Sequence, residues 1–75
     1  MNIKNIEEKL QKRLDALIDE YYLNTDKDKV DLKEISDMIS YFISEYEKKY
    51  YSIFKGFKII VKHNSDKFIA TIEER

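Results

Sequence analysis

Gly56-Phe57-Lys58-Ile59-Ile60-Val61-Lys62-His63-Asn64-Ser65-Asp66-Lys67-Phe68-Ile69-Ala70-Thr71-Ile72 alternates apolar with polar side chains on both sides of a short polar break. A period of two belongs to a half-buried strand, and two such runs around a two-residue break predict an antiparallel β-hairpin over residues 57–73. With Asn64-Ser65 as the turn, His63 pairs with Asp66, Val61 with Phe68, Ile59 with Ala70 and Phe57 with Ile72, all on one face. The other face carries Lys58, Ile60, Lys62, Lys67, Ile69 and Thr71, which sets an Ile60–Ile69 pair among charges.

Upstream of the hairpin the period lengthens to that of a helix. Ile3, Ile6, Leu10, Leu14, Leu17, Ile18 and Tyr21 recur at steps of three and four, predicting a helix over 3–23 with Asn2, or Asn5 with Glu8, at its start. Asn24 to Lys29 contains no apolar residue and reads as a loop. Asp31 and Glu34 then form a capping box, with Val30 and Ile35 at the positions of a hydrophobic staple, so a second helix begins at Leu32. Its stripe is Leu32, Ile35, Ile39, Phe42, Ile43, Tyr46 and Tyr50, and it runs to about residue 53. Gly56, the single glycine, is the natural left-handed stop. The prediction is one α+β domain over residues 1–75, with two antiparallel amphipathic helices followed by a two-stranded antiparallel hairpin (ααββ).

Seventy-five residues supply one small core, and no cysteine is present to staple it. A two-stranded sheet leaves both edges open. A homodimer that joins two hairpins into four strands, with Ile60 and Ile69 in self-association, is therefore expected. No apolar block precedes Glu7 and no run approaches the length of a membrane span, so the sequence predicts a cytoplasmic protein. Isoleucine, lysine, asparagine and tyrosine dominate over alanine, a bias of A+T-rich coding such as that of low-G+C bacteria and their phages, and a phage-encoded chain would act in the host cytoplasm.

The net charge of −1 hides an uneven distribution. Residues 1–47 hold seven Lys/Arg against twelve Asp/Glu, whereas residues 48–67 hold six Lys against Asp66 alone. Acidic helices and a basic hairpin give two faces suited to different partners.

Residues able to carry chemistry are few. His63 is the one histidine and stands beside the hairpin turn; Ser36, Ser40, Ser44, Ser52 and Ser65 have no Gly-rich elbow or dedicated base. Asn24, Asp26 and Asp28 have the alternate spacing of a calcium loop, but Lys29 stands where the turn glycine belongs and Ile35 where the last glutamate belongs. Asp15, Asp19 and Glu20 have the spacing of a solvated helix face. The expectation is a protein that is not an enzyme and uses no metal or other cofactor.

Two surfaces are candidates for binding. On the second helix Glu34, Asp37, Tyr41, Ser44 and Glu45 lie opposite the apolar stripe, an acidic strip around a tyrosine that suits a larger protein partner with a basic surface. Lys48, Lys49, Lys55, Lys58, Lys62 and Lys67, with Tyr50, Tyr51 and Phe54 nearby, combine phosphate-neutralising and base-stacking groups and suit nucleic acid. The order helix, helix, ribbon resembles the start of histone-like bacterial DNA-binding proteins and, more loosely, Tctex-type dynein light chains. Gly56-Phe57 is the one match to the histone-like Gly-Phe-Gly turn, the basic arm is missing, and the Tctex fold needs more strands, so neither family is assigned. The functional expectation is a small protein-binding module that inhibits or regulates a larger partner, of the kind that phages and mobile elements use against host defence (anti-CRISPR-like). The alternative is a nucleic-acid-binding regulator using the lysine-rich hairpin and the end of the second helix.

Overall fold

A computed structural model describes residues 2–75. It contains α1 (Ile3–Leu23), a 3₁₀ turn (Lys27–Lys29), α2 (Leu32–Lys49), a single helical turn α3 (Tyr51–Phe54), β1 (Phe57–Asn64) and β2 (Lys67–Glu74). The ααββ order is the expected one.

Each helix starts on the side chain that its sequence supplies. Asn2 Oδ1 accepts the Lys4 N–H at 3.0 Å, and Asp31 Oδ1 accepts the Lys33 N–H at 2.9 Å. Of the two caps proposed for α1, Asn2 is used. The Asp31 N–H donates to the Tyr21 hydroxyl at 3.1 Å, which ties the start of α2 to the end of α1.

The second helix is shorter than its periodicity implies. Tyr50 leaves the helical region (φ −112°, ψ 43°), and α3 resumes for one turn. The break re-aims that turn so that Phe54, only 3% exposed, meets Tyr46 edge-on at 5.9 Å while Tyr46 packs at a tilt against Tyr50 at 4.8 Å. Gly56 does not take a left-handed backbone, and a Cβ added there would meet nothing within 4 Å. The chain leaves the helix instead through Lys55 N–H to Tyr51 O (3.0 Å) and Gly56 N–H to Ile53 O (3.3 Å).

In the hairpin Phe57 stands opposite Glu74, Ile59 opposite Ile72, Val61 opposite Ala70 and His63 opposite Phe68. The turn is Ser65-Asp66, one residue beyond the expected pair, and the register moves by two. Because faces alternate with a period of two, a shift of two leaves every side chain on its expected face. The displaced turn lets His63 stack on Phe68, with ring centroids 4.2 Å apart and planes within 4°. Its cost falls on Ser65, which adopts φ 58°.

α1 packs chiefly on β2, and α2 on β1, so both helices cover one face of the hairpin. Leu10, Leu14, Ile18, Ile35, Ile39, Tyr46, Phe54, Ala70 and Ile72 form the core. Leu32, expected in the α2 stripe, is instead exposed at the end of the helical pair, with Leu23.

The two sheet edges are treated differently. Along β2, Gln11 Oε1 accepts the Ala70 N–H at 2.8 Å, Gln11 Nε2 donates to Phe68 O at 2.9 Å, and Glu7 Oε2 accepts the Ile72 N–H at 2.9 Å. Four helical residues rise about 6.0 Å and two strand residues about 6.6 Å, so Glu7 and Gln11 fall in step with Ile72 and Ala70. Asp15 Oδ1 accepts from the same Gln11 Nε2 at 2.9 Å and orients the amide. Since Ala70 and Ile72 direct their N–H groups away from β1, their partners Val61 and Ile59 direct theirs away from β2. Glu47 Oε2 takes the Ile59 N–H at 3.3 Å, whereas the backbone groups of Val61 and His63 on that edge have no partner among the described residues.

Gln11→Ala should lower stability by about 2–3 kcal/mol, because two part-buried backbone groups lose their partners, and Gln11→Glu should cost at least as much, because it sets a carboxylate against Phe68 O and Asp15. Urea unfolding followed by circular dichroism measures both. Ser65→Gly should raise stability by about 0.5–1 kcal/mol by relieving the left-handed backbone; an unchanged or lower midpoint would mean that the turn carries no such strain.

Candidate functional site

At about 100° per residue, positions 34, 37, 41, 44 and 45 fall within one arc of α2, opposite Ile35, Ile39 and Tyr46. The structure brings this strip together: Glu34, Asp37, Tyr41, Ser44 and Glu45 are all exposed, and Tyr41 is 70% exposed at its centre. Glu45 approaches Lys48 at 3.9 Å, but both side chains are in solvent, where such a contact is weak. The strip keeps its negative charge on a rigid helix.

The lysines proposed as one surface separate into groups. Lys58, Lys62 and Lys67 share the outer face of the hairpin with Ile60 and Ile69, away from the helices. Lys48 and Lys49 sit at the carboxyl end of α2, where cations offset the helix dipole, and Lys49 Nζ lies 5.6 Å from the Tyr50 ring centroid. Lys55 lies in the turn before β1. Of the three aromatic residues proposed to stack bases, Phe54 is core and Tyr50 is half-buried against Tyr46; Tyr51, 71% exposed, remains available. Ile60 stands opposite Thr71, and Ile69, 40% exposed, opposite Lys62, so the expected direct pair is a diagonal one.

Two features were not assembled from the sequence. Lys9, Lys12 and Arg13 of α1 border a hollow of about 290 Å³ with Tyr46 and Tyr50. Burial raises the Tyr46 hydroxyl above the ordinary tyrosine pKa, Tyr50 adds to the rise, and Arg13 offsets part of it. The second feature is a groove between α2 and the β1 edge. One hollow of about 370 Å³ is lined by Ser40, Ser44, Glu47, Ile59 and Val61, and a neighbouring one of about 230 Å³ by Ser36, Ser40, Val61, His63 and Phe68. Ser36, Ser40 and Ser44 recur at one-turn spacing, a stripe of small side chains that was visible in the sequence. Their significance depends on the open strand beside them, which was not.

Two of the remaining candidates have structural positions. His63 stacks on Phe68, and Asp15 holds the Gln11 amide. Among the described residues no group of three or more His, Cys, Asp or Glu is placed to hold a metal ion, and no helix is long and apolar enough to cross a membrane. In comparisons with known proteins, the chain matches no family model, no curated protein and no solved structure.

Proposed function

We propose that the protein is a binding module that inhibits or regulates a larger protein partner, and that it presents the acidic outer face of α2 to a basic surface. The observation that supports this most is Tyr41, 70% exposed between Glu34, Asp37 and Glu45 on a helix whose other side is fixed in the core. A tyrosine offers a large contact area with few rotamers to freeze, and the carboxylates around it select and steer a cationic partner. A basic groove that binds nucleic acid is one such surface. Occupying it would make the protein a competitor of nucleic acid, the action of an anti-defence protein carried by a phage or mobile element (anti-CRISPR-like).

A second reading draws on the common outer face of Lys58, Lys62 and Lys67, which suits a phosphate backbone. One set of variants separates the two. For a captured partner, Tyr41→Ala should weaken binding by about 2 kcal/mol, or roughly 30-fold. Glu34→Lys with Asp37→Lys and Glu45→Lys should weaken it further, and Lys58→Glu with Lys62→Glu and Lys67→Glu should leave it unchanged. Oligonucleotide binding that falls steeply with salt and disappears in the lysine variant would instead establish the second reading.

A further inference from the structure

We infer that the groove between α2 and β1 receives an extended segment of the partner, which adds a third strand to β1 and places a basic side chain against Glu47. This rests on the reading of the chain as a protein-binding module and specifies how the partner is held.

Strand addition requires an open edge, room beside it and hollows for alternate side chains. The edge is present at Val61 and His63, whose outward N–H and C=O groups have no partner among the described residues, whereas along β2 Glu7 and Gln11 of α1 occupy the Phe68 carbonyl and the Ala70 and Ile72 N–H groups. Room is provided by Ser36, Ser40 and Ser44, where longer side chains on α2 would fill the space. The two hollows flank Val61, one reaching Ile59 and the other His63. Side chains on one face of an added strand recur every two residues, about 6.6 Å apart, and so meet the two hollows in turn.

The lining gives each hollow a preference. The smaller ends on the His63–Phe68 stack and Ile39 and suits an apolar side chain. The larger ends on the Glu47 carboxylate, whose one ion-pair neighbour among the described residues is Arg75 at 3.9 Å, a half-exposed guanidinium beyond hydrogen-bonding distance. A Lys or Arg of the incoming segment can engage the same carboxylate. Asp37 and Tyr41 stand one step round the helix from Ser40 and Ser44, so the groove opens directly onto the acidic strip. That charge also selects against a second copy: two β1 edges joined across a two-fold axis would bring α2 against an antiparallel α2, setting Asp37 of one copy toward Glu45 and Glu47 of the other.

The test is titration of ¹⁵N-labelled protein with the blocked peptide Thr-Ile-Thr-Lys-Thr and its counterpart with glutamate in place of lysine. The lysine peptide should shift the Val61 and His63 amide signals and bind about tenfold more tightly than the glutamate peptide. Glu47→Gln, which keeps an acceptor for the Ile59 N–H, should remove that preference, and Ser40→Trp should abolish binding in a folded protein. Unmoved Val61 and His63 signals at millimolar peptide would overturn the inference. So would binding that survives Ser40→Trp, or a dimeric mass by light scattering with both amides protected in the peptide-free protein. A partner lost on the acidic-strip substitutions but retained by Ser40→Trp would refute the groove and leave the acidic face standing. The same partner indifferent to the strip substitutions but lost on Ser40→Trp would support the groove alone.

Discussion

The Gln11 amide, bonded to both Phe68 O and the Ala70 N–H, is the interaction on which the arrangement of this small protein depends. A two-stranded hairpin is marginal in water because each strand has an unpaired edge. Gln11, with Glu7 one turn before it, lets α1 serve as the missing neighbour of β2. The spacing works because one helical turn and two strand residues advance by nearly the same distance. Asp15, a further turn along, holds the amide in place. With α1 committed to β2, α2 is left to cover β1, and it does so incompletely: Glu47 reaches Ile59, but small serines stand opposite Val61 and His63.

This asymmetry gives the molecule a closed side and an open one. The open side is bordered by α2, whose outer face carries the exposed tyrosine and carboxylates. Basic groups cluster elsewhere: Lys9, Lys12 and Arg13 of α1 border the hollow with Tyr46 and Tyr50, and Lys58, Lys62 and Lys67 lie on the outer face of the sheet. A protein only 42 × 19 × 17 Å in extent thus keeps opposite charges on different faces. Its long axis follows the helices, which fixes the relative positions of the residues on each face.

Much of the fold was legible because local signals agreed. Asp31 with Val30 and Ile35 fixed the start of α2, and the change of period after Gly56 announced the hairpin. Three features were not legible, each for a physical reason. The hairpin turn lies on Ser65-Asp66, which sets His63 against Phe68 at the expense of a left-handed serine, and a stack across strands leaves no mark on the turn residues. The break at Tyr50 depends on how Phe54 meets Tyr46, which is a tertiary contact. The closure of β2 links residues 57 to 65 positions apart, and Glu7 and Gln11 look like ordinary solvated helix residues. The acidic strip was fully legible, since helical spacing alone defines it; the groove beside it was not, because it exists only where β1 lies open.

Amide hydrogen exchange at single-residue resolution tests this arrangement most directly. Ala70 and Ile72 lie on one edge of a two-stranded sheet, and Val61 and His63 on the other, so intrinsic sheet pairing protects none of the four. If Gln11 and Glu7 close β2 while β1 stands open, Ala70 and Ile72 should exchange slowly, near the rate set by global unfolding, and Val61 and His63 should exchange rapidly. Equal protection at all four amides, or rapid exchange at Ala70 and Ile72, would contradict the division into a closed and an open edge.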